Sequence, residues 1–149
     1  MTTIRVVAAL AAALALAGCG GGSHGLSTRA LAAKANAICA RYAKEGDRLT
    51  APKDITDPRQ ALAFFARAHD IAARQQAELV KLVPAKAAKA PYAAMTSATG
   101  RATRLLDDLA AAARANDANQ GANLLGRLQP DSDAVDRTAR ALGAGRCAG

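Results

Sequence analysis

Between Pro91 and Asn116, Tyr92, Met95, Thr99, Ala102, Leu106, Leu109 and Ala113 recur at alternating steps of three and four. That spacing draws one stripe along an α-helix and does not fit the two-residue period of a strand. It predicts a helix from Pro91 to about Asn116, with Gly100 as a weak point inside it. The run is under four heptads, which suits a bundle better than a two-stranded coil. Three further stretches repeat the pattern. Ser27 to about Glu45 carries Leu31, Ala35, Ile38 and Tyr42, with Ser27 or Thr28 as cap and Cys39 at the stripe's edge. Asp57-Pro58 pairs a cap residue with proline at the first helical position and opens a helix that should reach about Val83. Its Leu62, Phe65, Ala72, Leu79 and Val83 share a face, widened by Phe64, Ala68, Ile71 and Gln75. A fourth helix begins after Asn116 or Asp117 with Leu124, Leu125 and Leu128 inward. Pro130 is expected to kink or interrupt it, with Asp131 or Ser132 recapping, before Val135, Ala139 and Leu142 resume the stripe and Gly143 ends it.

Composition supports the same class. About 42 of the 149 residues are alanine, aromatics are 3%, and tryptophan is absent. Alanine is the best helix former, whereas sandwiches and barrels draw on β-branched and aromatic residues. The length allows one domain, or one domain plus a targeting segment. The expected fold is all-α, an up-down four-helix bundle over residues 27–149 with a thin, alanine-rich core.

The N-terminus reads as an address. Met1 to Arg5 carries one positive charge and no acid, and Val6 to Ala17 is an unbroken apolar run of about twelve residues. A spanning helix needs roughly 20, so the run has the length of a secretory h-region. It ends in Leu16-Ala17-Gly18-Cys19, which resembles the lipobox of bacterial lipoprotein signal peptides. The resemblance implies that residues 1–18 are removed and that Cys19 is S-diacylated and becomes the first mature residue. It also implies a cell-membrane location, lipid-anchored, on the extracytoplasmic face. Residues 19–26 would then be the lipidated cysteine and a Gly-rich tether, in which His24 is a solvated linker residue.

With Cys19 assigned to lipid, Cys39 and Cys147 are left over from an odd count of three. In an oxidising envelope these two would pair, and closing so long a loop contributes about 4–5 kcal/mol. Two free thiols or an intermolecular bridge are the alternatives. The mature part also resembles a group of small Ala-rich helical lipoproteins of high-GC bacteria. Lys34-Ala35-Asn36-Ala37-Ile38-Cys39 and the terminal Gly143-Ala144-Gly145-Arg146-Cys147 carry that likeness. It implies architecture and location, and no activity.

Chemistry is sparse. His69 is the only histidine of the helical region, and Asp70 points about 100° away from it on a helix, so no catalytic arrangement can be assembled from neighbours. Glutamate occurs only as Glu45 and Glu78, which excludes di-iron bundles. The cysteines lack metal-ligand spacing and no Gly-rich phosphate loop precedes a helix. A haem held by His69 and Met95 is disfavoured because Met95 sits on a core stripe. No catalytic residue, metal or cofactor is assigned. The one ligand pocket that can be sketched lies between the second and third helices, lined by Phe64, Phe65, His69, Tyr92 and Met95.

Charge is the remaining lead. The formal net charge is +8, and the excess is concentrated in residues 27–50 and 84–115. Export and the lack of an aromatic platform argue against nucleic acid. The basic side suits anionic lipid headgroups, an anionic envelope polymer or another envelope protein. The leading expectation is a non-enzymatic binding or structural module, held to the membrane by its lipid anchor. A small-molecule carrier is the alternative.

Overall fold

Three of the four helices start on a side chain that takes up free backbone N–H groups, which is why they start where they do. In the computed structural model, which describes residues 25–148, α1 spans Thr28–Gly46 and the Ser27 hydroxyl accepts from the Ala30 amide at 3.3 Å. α2 spans Pro58–Leu79, with the Asp57 carboxylate accepting from the amides of Arg59 at 2.9 Å and Gln60 at 3.4 Å. α3 spans Lys89–Arg114 and is entered through a 3-10 turn, Lys86–Ala88, in place of a capping side chain. α4 spans Ala118–Leu142, with Asp117 accepting from Gln120 at 2.9 Å. The expected signal segment 1–18 and residues 19–24 of the expected anchor and tether, 19–26, lie outside the described residues, whereas Gly25 and Leu26 are no free tether but are held against Val83, Pro84 and Ala85.

Cross-helix pairs fix the topology. Glu45 meets Arg74 and Arg41 meets Glu78, so α1 and α2 are antiparallel. Gln76 bonds to Thr96 while His69 faces Asp107, which makes α2 and α3 antiparallel. Arg101 pairs with Asp131 in α4, and the end of α4 meets the first half of α1 through Gly143 and Asn36. The result is the up-down-up-down four-helix bundle. Its core divides into two clusters. Leu31, Ala35, Cys39, Leu79, Tyr92, Met95, Ala139 and Leu142 fill the end where α1 begins. Ala61, Phe65, Leu105, Leu109, Ala112 and Leu124 fill the opposite end.

Three local expectations are corrected. α2 stops at Leu79, and Val83 is 59% exposed instead of joining its buried face, with Val80 beside it 57% exposed. Backbone hydrogen bonding competes with the helix there. Leu26 N–H donates to Val83 O at 2.7 Å and Ala85 N–H donates to Leu26 O at 2.8 Å, a parallel bridge centred on Pro84. A residue preceding proline favours such extended backbone. In α3 the predicted stripe is too narrow: Ala98, Thr103, Leu105, Ala110 and Ala112 are buried as well, while Thr99, Ala102, Leu106 and Ala113 are only partly covered. α3 packs along both α2 and α4, so two of its faces are covered. Finally, α4 is neither interrupted nor recapped at Pro130. The proline is on the exposed side, where water can reach the Gly126 carbonyl that loses its partner.

After α4, Gly143 turns the chain with φ +78°, a conformation glycine adopts without strain. A short 3-10 turn, Gly145–Cys147, then runs back along α1. Asn36 holds it from both sides, donating to Gly143 O at 3.1 Å and accepting from Arg146 N–H at 2.8 Å. This brings Cys147 to Cys39, and the two form a disulfide with Cα atoms 5.1 Å apart.

Candidate functional site

The five residues expected to line a pocket are not gathered into one cavity. Tyr92 and Met95 belong to the core cluster at the α1 end, and the Tyr92 hydroxyl donates to the Leu79 carbonyl. Burial pushes the Tyr92 phenol up to about 12. Phe65 belongs to the other cluster, and Phe64 stands edge-on to it with ring centres 5.4 Å apart, beside Leu49 and Pro52. His69 lies between the clusters, with Nδ1 4.0 Å from a carboxylate oxygen of Asp107. That distance is too long for a hydrogen bond. Among the described residues no group of three His, Cys, Asp or Glu side chains comes together that could hold a metal ion.

A different recess does form. Where α2 begins and α3 turns into α4, Ile55, Pro58, Ala61, Phe65, Leu109 and Leu125 surround a cleft of about 160 Å³. Ile55 and Leu125 stand at its rim, 43% and 40% exposed. The tight turn at Asn116, with φ 56°, and the Asp117 cap border it, and with Thr56 they supply its polar side chains. The cleft opens to solvent past this rim, so it is a groove and not a sealed cavity.

Comparison with family models, curated proteins and solved structures finds no match to any of them.

A polar network crosses the middle of the α1–α2 face. The Tyr42 hydroxyl donates to Glu78 at 2.6 Å, and Arg41 pairs with the same carboxylate. Arg74 reaches Glu45 at 2.7 Å and Asp70 at 3.2 Å. Both guanidinium groups stack over the Tyr42 ring, at 5.1 and 5.5 Å from its centre. The hydrogen bond from Tyr42 holds the Glu78 carboxyl below its ordinary range, and the same bond raises the Tyr42 phenol. Every charge here has a partner, so the network clamps α1 to α2 and leaves no group free to react.

The opposite end of the bundle from the cleft is basic. Arg29 in the first turn of α1, Lys81 after α2, Lys86 in the 3-10 turn and Lys89 at the start of α3 are all exposed. Neither the exposed valines nor the cleft rim was anticipated from periodicity. The available signal was the placement of β-branched apolar residues, Ile55, Val80 and Val83, in segments bounded by proline.

Proposed function

We propose that the protein is an extracytoplasmic module of the cell envelope, anchored by lipid on Cys19, that acts by binding rather than by chemistry. The observation that carries the reading is the Cys39–Cys147 disulfide. It argues for an oxidising compartment. It also uses two of the three cysteines, leaving over the one that follows Leu16-Ala17-Gly18. Diacylation gives that cysteine a use, and two or more acyl chains anchor durably where one does not. The segregation of the molecule into a basic end and an apolar cleft supports binding as its mode of action.

The test is the intact mass of the protein drawn from its own envelope in mild detergent, with and without reductant. The expected species begins at Cys19, carries the mass of a diacylglycerol, and gains two hydrogens on reduction. A species that begins elsewhere or carries an unmodified Cys19 would overturn the anchor.

The cleft favours a second reading, a carrier of a small apolar molecule. A ligand that fits it raises the melting temperature in proportion to its occupancy. Phe65→Trp and Leu109→Phe, which fill the cleft from its inner wall, should abolish that rise while leaving the helical spectrum unchanged.

A further inference from the structure

We propose that the end of the bundle bearing Val80, Lys81, Val83, Lys86 and Lys89 is a seat for an anionic lipid bilayer. The anchored molecule then rests on this end and turns its apolar cleft away from the membrane. The inference deepens the anchored reading and rests on it for the compartment.

Residues 26–44, 79–106 and 137–148 contain no Asp or Glu at all. These stretches form all of α1 but its last two residues, the α2–α3 connector with most of α3, and the end of α4 with its tail. The acid of the described residues nearest the seat along the chain is Glu78, in the last turn of α2. Among the described residues, none of Arg29, Lys81, Lys86 and Lys89 stands within ion-pair distance of a carboxylate. The nearest acid along the chain, Glu78, is engaged by Arg41 and Tyr42, although Lys81 adds to the field that lowers its pKa.

Apolar exposure falls at the same place. Val80 and Val83 are the two most exposed large hydrophobic residues described. The bridge to Leu26 fixes the Val83 backbone in an extended course, so its side chain cannot be drawn into the core by continuing α2. Valines flanked by lysines can enter the headgroup layer while the ammonium groups meet lipid phosphates.

The chain toward the anchor leaves the bundle at this same end. Gly25 lies against Pro84, so close that a Cβ on it would sit 2.6 Å from the Pro84 carbonyl. Five residues separate it from Cys19, and the six steps between them reach at most about 22 Å fully extended. A diacylated Cys19 thus keeps this end, and not the cleft end, beside the headgroups.

Lipid suits this surface better than a folded partner. Three of the four cations are lysines, compact charges without the planar fork that specifies a fixed carboxylate. They come from separate elements and spread a field that laterally mobile lipids can match.

The test uses the mature protein reconstituted in phosphatidylcholine vesicles with or without phosphatidylglycerol. The chain has no tryptophan, so Val83→Trp and Leu125→Trp each give a single reporter, one for each end. The expected result is a blue shift of the Val83→Trp emission and its quenching by brominated lipid, only with phosphatidylglycerol and reversed by salt. Leu125→Trp should do neither. Each lysine near an anionic surface is worth roughly fivefold, so Lys81→Glu with Lys86→Glu and Lys89→Glu should cut the seated-to-free ratio on the order of a hundredfold. Arg59→Glu with Arg67→Glu and Arg114→Glu, an equal change in charge, should leave it nearly unchanged. Circular dichroism confirms that both triples fold. The proposal falls if the two triples act alike, if Val83→Trp responds equally on phosphatidylcholine alone, or if Leu125→Trp is the quenched reporter. It also falls if a soluble polyanion shifts the Val83→Trp emission while brominated lipid never quenches it, for the surface then takes an acidic polymer. The mass of the same preparation reports lipidation separately. An unmodified Cys19 with the seat intact sinks the anchor alone.

Discussion

Single side chains carry more of this fold than its alanine content suggests. Among the largest fully buried side chains are Leu31, Leu79, Met95 and Leu109. Around them alanine supplies closeness without much area, so each large residue is hard to replace. Leu109→Ala should cost about 3–5 kcal/mol, the upper part of the usual range, because neighbouring alanines cannot extend into the cavity. Denaturant unfolding with unchanged slope would check it. The network around Tyr42 sets the pH dependence. Glu78 has its pKa lowered in the folded state, chiefly by the Tyr42 hydrogen bond, and Asp54 and Asp57 are lowered by hydrogen bonds from Thr56 and Gln60. Their stabilisation is present above the unfolded carboxylate range, near pH 4, and is lost as pH falls through the folded values. Tyr92, raised to about 12, acts in the other direction. Its contribution is full below about pH 10 and is lost as pH climbs through the folded value. Melting temperature against pH should show both limbs. Glu78→Gln should shrink the acid limb, and Tyr92→Phe should remove part of the alkaline one.

At the scale of the element, legibility depended on which force set each boundary. The starts of α1, α2 and α4 were readable, because Ser27, Asp57 with Pro58, and Asp117 act through bonds to neighbours in sequence. The end of α2 was not readable, because it is set by Leu26, a residue distant in the chain. The breadth of the α3 core face was hidden for the same reason: one heptad stripe describes a helix with one neighbour, and α3 has two. The expected pocket failed on register along the axis. Phe65 and Tyr92 lie on the facing sides of an antiparallel pair but at opposite ends of it. α4 is the element whose own sequence opposes it most, with Gly121, Gly126 and Pro130 inside. Nothing stands within 4 Å of a Cβ built at either glycine. Gly121→Ala and Gly126→Ala should each stabilise by up to about 1 kcal/mol. Pro130→Ala restores a donor to the Gly126 carbonyl and should gain more. A thermal melt of the three variants would expose the opposite outcome, a loss, if the exposed face of α4 were engaged elsewhere.

For the molecule as a whole, the arrangement of helices makes the disulfide a fastening for one element in particular. α3 packs along both α2 and α4, whereas α1 meets α2 and the C-terminal turn. The turn is held by Asn36 and by the bond from Cys147 to Cys39, so it joins α1 to the end of α4. Without that bond the first cluster loses its outer wall, while the second, built from α2, α3 and α4, keeps all its members. Closing a loop of 108 residues is worth about 4–5 kcal/mol by chain entropy, a large part of the 5–15 kcal/mol that holds an ordinary domain together. Cys147→Ser should therefore lower the melting temperature by on the order of 15 °C. The loss should also be uneven. Hydrogen exchange should show α1 and residues 143–148 opening well below the global unfolding energy, with the α3 amides between Leu105 and Ala112 protected longest. Equal loss of protection in all four helices would mean that the bundle unfolds as one unit and that the bond acts only on the unfolded chain. Preferential opening of α1 would mean that reduction frees Arg29 and loosens the Leu26–Pro84 bridge, while Lys81, Lys86 and Lys89 stay on the remaining bundle.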